Sequence, residues 1–506
     1  MRRCSIIPIA SHSSIYMLQN QHNTATNNMV SNDYTLSDLD MMLFDFPASF
    51  MLVYKNTNNK SDQEIVDALQ RGLDKAVEQL PLLGAIIHLD QEKKPLPKAS
   101  PRPEPLKLCF RRFEKGEYKS YDELAEGCFV PMDFDPFRLL PDGTFTPAVM
   151  SYEREVCFMQ VNFIPGGGII LAFALCHMTA DGGSMSRALG LICECAKACM
   201  EKVSIPQHEY CYDRQLFAAP GPEELKQMSM QRLCDRLEDE WCEMFNVFDL
   251  APPPVRHQDR ETQHYDPSRA TYVGRMYRIT SSDASRLKAS IKPLVSYGVH
   301  YLSTNDCMTS VIFRTLMRIR ISRNPSLRSK NWRFLFPTDG RTRSYAPANY
   351  FGNAFSLSVT EPLPVGRVLN DDDGLSVIAS SIRYATAHVD FAADIKDQSA
   401  INAKLLPSGK RAILMPGNFP ENQFCITSWA GADTASMDFG IGLPVALRTW
   451  NIPMGNMGVT FPDCQKLPGS NSGIYDTLIS LPDHEHDLLA KDDEFCTWFQ
   501  AIGPKA

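Results

Sequence analysis

The spacing of apolar residues near the start of the chain predicts a strand followed by an amphipathic helix. Residues 48–54 form a strand-like run, and Ser61 is a suitable helix N-cap. Beyond Ser61, apolar side chains recur every three or four residues and therefore share one helical face: Ile65, Leu69, Leu73, Val77 and Leu80. We expect this helix to end at residues 81–84, where a proline and a glycine interrupt the pattern.

Two β-favouring runs, residues 156–163 and 169–176, predict a β-hairpin. Between them Pro165-Gly166-Gly167-Gly168 supplies turn residues, and no helix follows these glycines directly, which argues against a nucleotide-binding loop. The second run ends in Cys176-His177-Met178-Thr179-Ala180-Asp181-Gly182-Gly183, and a helix is expected over residues 184–200. This order of strand, tight turn and helix places His177 and Asp181 on or beside the turn.

The same pattern divides the chain into four segments. Residues 1–33 are rich in Ser, Asn, Thr and Gln without apolar periodicity, and they are predicted to be a disordered leader. Residues 34–205 are predicted to form an N-terminal domain, and residues 206–270 a connector. In the connector, prolines bracket a predicted helix whose apolar side chains share one face: Leu233, Leu237, Trp241 and Phe245.

Residues 271–506 are predicted to form the C-terminal domain. Helical patterns surround Lys288 and Val311, and a further helix is expected over residues 375–388. After it we expect a long loop containing Pro and Gly, and then a strand at residues 424–428.

Length and charge narrow the classes of function. A chain of 506 residues and 56.9 kDa predicts two or three domains. Asp and Glu number 59 against 51 Lys and Arg, a net charge of −8, which argues against binding to nucleic acid or to an anionic membrane. The longest apolar stretch, residues 169–176, is less than half of what a membrane-spanning helix requires.

The cysteines indicate neither disulfides nor a metal site. There are 15 of them, an odd number without paired spacing. Cys193, Cys195 and Cys199 lie close together, but within a helical pattern and with no histidine nearby, so no zinc site is predicted. We therefore expect reduced thiols in a cytoplasmic protein.

Two short motifs carry candidate chemistry. In His177-Met178-Thr179-Ala180-Asp181-Gly182 the imidazole is able to take a proton from a hydroxyl group near neutral pH, and the carboxylate is able to organise the loop. The alternative is a structural turn histidine beside an Asx turn. Asp438-Phe439-Gly440 resembles a kinase metal-binding triplet, but the chain lacks the other kinase motifs, so by itself it predicts only a turn.

Taken together and in order, the motifs of this chain resemble those of the BAHD acyltransferase family, and within it the fungal, trichothecene acetyltransferase-like branch. The resemblance extends over nearly the whole chain after the leader. It rests on the following segments: Leu36-Ser37-Asp38, His177-x-x-x-Asp181-Gly182, Ser303-Thr304-Asn305-Asp306, Asp339-Gly340-Arg341-x-Arg343, Tyr350-Phe351-Gly352-Asn353, Ser428-Trp429 and Asp438-Phe439-Gly440.

The resemblance implies two chloramphenicol-acetyltransferase-like α/β domains with a channel between them and His177 at the channel centre. It also implies an acyl-CoA-dependent O-acyltransferase, with acetyl-CoA the expected donor and a hydroxylated terpenoid, alkaloid or polyketide the acceptor. In the implied mechanism His177 deprotonates the hydroxyl, which attacks the thioester directly, so that no acyl-enzyme forms. The resemblance further implies a monomer without a permanently bound cofactor.

It also implies roles for the residues around the histidine. Asp181 is expected to pair with an arginine and hold the loop, with Arg341 the first candidate partner and Arg343 the second. Trp429 matches the family position whose indole N–H donates to the oxyanion. Asp438 matches the second signature aspartate and is grouped with the catalytic residues, although the family indicates a structural role. Gly182 and Gly440 are assigned as structural support.

Contacts with CoA are assigned to Arg286 and Lys288, on the helix after Ser281, and to Thr427, while a solvated helix face is the alternative for the first two. Ile441 stands where plant members of the family carry Trp, which affects local packing. Cys176 stands where peptide-synthetase condensation domains carry a further histidine, which favours a CoA-linked donor. Two other functions remain open: a condensation-type enzyme that uses a carrier protein, and a non-catalytic scaffold.

Overall fold

The computed structural model describes most of the chain after the predicted leader. The described residues are 34–503 except 44–46, 89–97, 103, 143, 145–152, 230–232, 234–244, 250–271, 342, 344–345, 409, 415–418, 451–454, 463 and 465–472. The predicted leader, residues 1–33, and most of the predicted connector helix lie outside them.

A five-stranded sheet organises the N-terminal half. Its order is β15 (Ala446–Arg448), β2 (Pro47–Lys55), β8 (Gly168–Cys176), β7 (Cys157–Ile164) and β5 (Cys109–Arg112). Strands β7 and β8 form the predicted hairpin, in which Ile164 lies opposite Gly168. Strand β15 comes from the C-terminal half and pairs with β2, so residues from both halves build this sheet.

A seven-stranded sheet organises the C-terminal half. Its order is β12 (Phe355–Val359), β11 (Arg333–Asp339), β14 (Gln423–Ser428), β16 (Met457–Thr460), β17 (Ile474–Leu481), β10 (Val273–Thr280) and β18 (Gln500–Ile502). Strands β11, β14 and β16 run parallel to one another. Because carboxyl ends of parallel strands meet at one edge of a sheet, the residues that follow β11 and β14 lie at the same edge.

Two smaller sheets complete the described β structure. One has the order β1 (Tyr34–Thr35), β4 (Lys98–Pro101), β3 (Ala85–His88) and β6 (Glu153–Glu155). The other pairs β9 (Phe245–Asp249) with β13 (Lys410–Leu414). The prediction that Phe245 belongs to the connector helix is therefore wrong, because Phe245 starts a strand whose partner lies more than 160 residues away.

The described helices of four residues or more are α1 (Asp62–Gln79), α2 (Tyr121–Glu126), α3 (Pro136–Leu139), α4 (Gly182–Glu201), α5 (Pro222–Gln227), α6 (Ser281–Ser290), α7 (Thr304–Arg323), α8 (Val365–Asn370), α9 (Gly374–His388), α10 (Phe391–Leu405), α11 (Asp483–Leu489) and α12 (Asp493–Trp498), besides short 3-10 turns. Ser61 caps α1 through a capping box with Glu64, as its position predicts. The loop predicted after residue 388 is wrong in part, since α10 and β13 occupy much of it.

Each large sheet carries buried side chains on both faces, and helices pack against it. Side chains of β2, β7 and β8 meet α1 and α4 in the N-terminal core. The second core lies between the seven-stranded sheet and helices that include α6, α7 and α9. The cores fix the position of α4, and the candidate site lies at its N-terminus.

Candidate functional site

The predicted turn lies between the end of β8 and the start of α4. Thr179 closes it by donating from both its backbone N–H and its hydroxyl to the carbonyl of Cys176, at 2.9 and 2.7 Å. The buried strand on one side and the buried helix on the other leave His177 and Asp181 on the short connection between them.

One ring nitrogen of His177, Nδ1, has no partner on another described residue. This atom is buried and accepts or donates no hydrogen bond to any other described side chain or backbone group. Burial lowers the pKa of His177, against the opposing effects of its own backbone carbonyl and of Asp181. The ring is therefore neutral at pH 7 and able to accept a proton.

Asp181 is both the N-cap of α4 and one half of a buried ion pair. One carboxylate oxygen accepts from the backbone N–H of Ser184 at 2.9 Å, and the other accepts from the N–H of Ala354 at 2.9 Å. The guanidinium of Arg341 donates to both oxygens, at 2.9 and 3.0 Å. Burial alone would raise the pKa of Asp181, but Arg341 and these N–H donors outweigh it and lower the pKa.

Arg341 is the partner of Asp181, as expected, and Arg343 is not. Arg341 follows β11 and also donates to the hydroxyl of Ser184 and to the carbonyl of Gly352, both at 2.8 Å. Arg343 points elsewhere and donates to the backbone carbonyl of Thr386. The ion pair therefore joins the His177 turn to the loop after β11.

A second group of buried polar residues holds the same turn from another side. The amide nitrogen of Asn353 donates to the carbonyls of His177 and Met178, at 3.0 and 3.1 Å. Arg214 donates to the carbonyl of Thr179 at 2.9 Å, and both residues contact Asp40. The sequence alone assigns no role to these three residues. Asn353 is the last residue of the motif at 350–353, and Asp40 lies two residues after the motif at 36–38.

Trp429 lies beside the N-terminus of α4. It directly follows β14, and its ring packs against Phe50 with centroids 4.7 Å apart. A Cβ atom on Gly182 would lie 3.6 Å from the indole Nε1, an ordinary contact distance, so the indole lies next to the helix start. Thr427 is half-buried on β14, two residues earlier.

Asp438 lies at the opposite end of α4. One of its oxygens accepts from the N–H groups of Gly440 and Gly442, at 2.8 and 2.9 Å, and the other pairs with Lys197 at 2.7 Å. Lys197 comes fifteen residues after Gly182, which is about 22 Å along the helix. Gly440 has a φ of +103°, which favours glycine. These contacts give Asp438 a turn-forming role, and they do not bring it to the His177 turn.

The predicted CoA contacts on α6 lie on an exposed helix face. Arg286 pairs with Asp283 at 2.7 Å and lies over the ring of Trp498, 5.6 Å from its centroid. Lys288 is exposed. Neither residue contacts the His177 turn, so their assignment to CoA stays a prediction.

The described part of the chain shows neither a cluster suited to a metal ion nor a helix suited to span a membrane. No group of three or more His, Cys, Asp or Glu side chains there is arranged to hold a metal ion. None of the helices in the same residues has the length and apolar character needed to cross a membrane.

Two family comparisons cover most of the chain. Residues 48–199 match the Trichothecene 3-O-acetyltransferase-like N-terminal domain, and residues 138–495 match the Transferase family. Among individual proteins, the O-acyltransferase pigD of Monascus ruber is 23% identical over 397 residues, covering 76% of this chain and 79% of that protein. The hydroxycinnamoyl-CoA:piscidic acid hydroxycinnamoyltransferase of Actaea racemosa is 25% identical over 330 residues, covering 62% of this chain and 67% of that protein.

The fold is also that of a solved acyltransferase structure. TRI101 of F. graminearum, crystallised with Coenzyme A and T-2 mycotoxin, superposes with a TM-score of 0.69 at 17% identity, covering 93% of this chain and 100% of that chain. The predicted two-domain α/β fold is thereby confirmed, while the domain boundaries stay a prediction. Because the family match spans more than half of its residues, the chain belongs to the Transferase family, the BAHD acyltransferases that its motifs resemble, which take acyl-CoA as co-substrate.

Proposed function

We propose that this acyltransferase moves an acetyl group from acetyl-CoA directly to a hydroxyl group of a secondary metabolite, with His177 as the general base. His177 takes the hydroxyl proton as the oxygen attacks the thioester carbonyl. The tetrahedral intermediate then collapses, its carbon–sulfur bond breaks, and His177 returns the proton to the departing CoA thiolate. The products are an acetate ester and free CoA, and no acyl-enzyme forms.

The observation that carries this proposal is the state of the His177 imidazole. His177 is half-buried, burial lowers its pKa, and its buried Nδ1 has no partner on another described residue. Asp181, the nearest candidate for a triad acid, has both oxygens occupied by Arg341 and by backbone N–H groups. His177 therefore acts without a carboxylate partner, and Asp181 holds the turn in place.

Trp429 is the proposed donor to the oxyanion of the intermediate. Its indole lies at the start of the helix that follows the His177 turn, and Phe50 holds the ring from one side. An N–H group at this position stabilises negative charge as it develops on the carbonyl oxygen. The proposed CoA contacts remain Arg286, Lys288 and Thr427. Of these, Thr427 is closest in sequence to Trp429.

Acetyl-CoA as the donor, and a terpenoid, alkaloid or polyketide alcohol as the acceptor, follow from the fungal branch of the family. TRI101 binds Coenzyme A and T-2 mycotoxin in its crystal structure, and the pigD protein is named an O-acyltransferase. We also propose that the protein is a monomer in the cytoplasm. No disulfide joins two cysteines among the described residues, which is consistent with a reducing compartment.

The test is an acetylation assay with the purified protein, acetyl-CoA and a panel of hydroxylated terpenoids, alkaloids and polyketides. Release of the CoA thiol and the mass of the ester are measured together. We expect His177→Ala to reduce turnover about 10²–10⁴-fold. His208→Ala is the matched control, because His208 lies on the surface, pairs with Glu194 and lies outside the turn.

Each outcome of this assay decides one part of the proposal. If His177→Ala kept more than half of the wild-type rate, the general-base mechanism would be wrong. Turnover only with longer acyl-CoAs would overturn acetyl as the donor group. Turnover only with an acyl carrier protein would favour the condensation-type function. If titration calorimetry detected no acyl-CoA binding by the wild-type protein or by His177→Ala, the scaffold function would be favoured.

A further inference from the structure

Three consecutive backbone carbonyls of the His177 turn each accept a hydrogen bond from a distant side chain. Asn353 donates to the carbonyls of His177 and Met178, and Arg214 donates to that of Thr179. The donors lie 176 and 35 positions away in the sequence from the residues they hold. A three-residue turn that connects a strand to a helix needs no such support to close, since Thr179 already bonds back to Cys176.

Asp40 joins the two donors. One of its oxygens accepts from Asn353 at 2.9 Å and from Arg214 at 3.3 Å, and its other oxygen accepts from the backbone N–H of Ser37 at 2.9 Å. Asp40 and Asn353 are fully buried, and Arg214 is 5% exposed. Removing either partner of such a buried pair would leave an uncompensated buried charge, so Asp40 and Arg214 depend on each other.

The orientation of Asn353 is determined by its acceptors. Its amide nitrogen faces three oxygens, whereas its amide oxygen is buried and has no hydrogen-bond partner among the described residues. A flipped amide would place an oxygen against those three acceptors. A buried amide oxygen without a partner destabilises the folded state, because it loses its hydrogen bonds to water and gains none in the protein. The unpartnered oxygen is tolerated here because the amide nitrogen of the same side chain holds the turn.

Gly352 makes room for the second donor. A Cβ atom at this position would overlap the guanidinium of Arg214. The carbonyl of Gly352 also accepts from Arg341, so one short segment, residues 352–354, contacts both Arg214 and the Asp181–Arg341 pair. The two buried ion pairs thus hold the turn from two sides.

We propose that Asp40, Arg214 and Asn353 are positioning residues that hold the carbonyls of the His177 turn and so keep the imidazole in the geometry needed for acyl transfer. The effect on catalysis rests on the proposed role of His177 as the base. None of the three side chains is assigned a contact with substrate. A displacement of a catalytic group by about 1 Å costs about 10²-fold in rate, and this is the loss expected when the turn is released.

The first measurement is hydrogen–deuterium exchange of the peptide that spans residues 176–184, which requires no acceptor. Asn353→Ala removes two bonds to the turn, and we expect the turn amides to exchange at least about tenfold faster. The matched control is Asn162→Ala. Asn162 is also fully buried and donates to two carbonyls, those of Leu139 and Ile170, but Ile170 lies about 23 Å along the strand from His177.

The second measurement compares kcat and KM with acetyl-CoA and the best alcohol of the panel. We expect Asn353→Ala to lower kcat about 10²-fold and to change the KM for acetyl-CoA less than threefold, while Asn162→Ala keeps kcat within twofold. Unchanged exchange in Asn353→Ala, or equal changes in both variants, would overturn the proposal. If Asn353→Ala did not fold, Arg214→Lys would replace it, with about threefold faster exchange expected and wild-type exchange contradicting the proposal.

The proposed function and this inference fail separately. If His177→Ala were fully active while Asn353→Ala released the turn, the base assignment would be wrong and the three residues would hold a turn without catalytic use. If His177→Ala were inactive while Asn353→Ala kept full kcat and normal exchange, the base would stand and the positioning role would be wrong.

Discussion

Replacing Asp181 by Asn tests how much the buried ion pair contributes beside the His177 turn. Four N–H donors converge on the carboxylate, two from Arg341 and one each from the backbones of Ser184 and Ala354. Each carboxylate oxygen accepts two of these four donors, so with one oxygen replaced by NH₂ two donors face an NH₂ group. The side chains of Asp181 and Arg341 are 8% and 2% exposed, so the guanidinium loses its buried countercharge. Breaking such a pair costs about 3–5 kcal/mol.

The matched control changes Asp339, the second carboxylate that pairs with the Arg341 guanidinium. Asp339 accepts from Arg341 at 2.9 Å, but its side chain is 61% exposed. An exposed pair contributes at most about 1 kcal/mol, so Asp339→Asn is expected to change stability little. Urea unfolding of the three proteins at pH 7, with kcat measured on the same preparations, gives both quantities.

Free energies of unfolding within about 1 kcal/mol of each other for Asp181→Asn and Asp339→Asn would show that the buried pair contributes no more than the exposed one. A stable Asp181→Asn enzyme with the wild-type rate would remove the role of Asp181 in holding the turn. A third variant adds a cross-check. Asp181→Asn combined with Arg341→Met should cost less than the sum of the single changes, because no unpaired charge is left buried.

Three further predictions concern the ring nitrogens. Trp429→Phe keeps the packing on Phe50 but removes the N–H, so kcat should fall about 10²–10³-fold and stay measurable, whereas an unchanged kcat contradicts the oxyanion role. Because burial lowers the pKa of His177, kcat/KM should fall as the pH is lowered, with an apparent pKa below 6.5. A midpoint above 6.5 would contradict this. Burial lowers the pKa of His486 from 6.5 to about 4, so the unfolded state takes up a proton first and stability should drop by about 3 kcal/mol between pH 6.5 and 4. Urea titrations should show a smaller drop in His486→Gln, and an equal drop would exclude His486 as its source.

Elements with a regular apolar spacing could be predicted from the sequence. Helix α1 has its capping residue and its apolar face in the expected places, and the β7–β8 hairpin has the expected turn. These features depend on residues close together in the chain, so their physical causes are present in a local stretch of sequence.

Helix α10 could not be predicted in this way because polar residues occupy part of its buried face. Phe391 and Ile395 are buried at helical spacing, but Gln398 and Asn402 continue the same face. Asn402 is satisfied by the backbones of Asp38 and Ala412, which come from distant segments. In the sequence Asn402 interrupts the apolar pattern, whereas in the fold it is a buried residue with its hydrogen bonds satisfied.

The candidate site shows the same division. The motif around His177 marked the turn, and the resemblance supplied Arg341 as the partner of Asp181. No local pattern marks Arg214, because it contacts Asp40 and Thr179 only once the chain has folded. Residues that act through long-range hydrogen bonds are therefore the ones that spacing and composition do not reveal.

The two signature aspartates have a common structural role in this fold. Asp181 holds the N-terminus of α4 through its cap and its ion pair, and Asp438 holds the same helix about 22 Å away through Lys197. Helix α4 packs along α1 in the N-terminal core, while Arg341 and Asp438 both come from the C-terminal half. One helix held at both ends by the other half of the chain sets the position of the His177 turn relative to Trp429. The motifs that identify the family therefore include residues that hold the helix after the proposed base, and motif membership alone does not separate such residues from those that act on substrate.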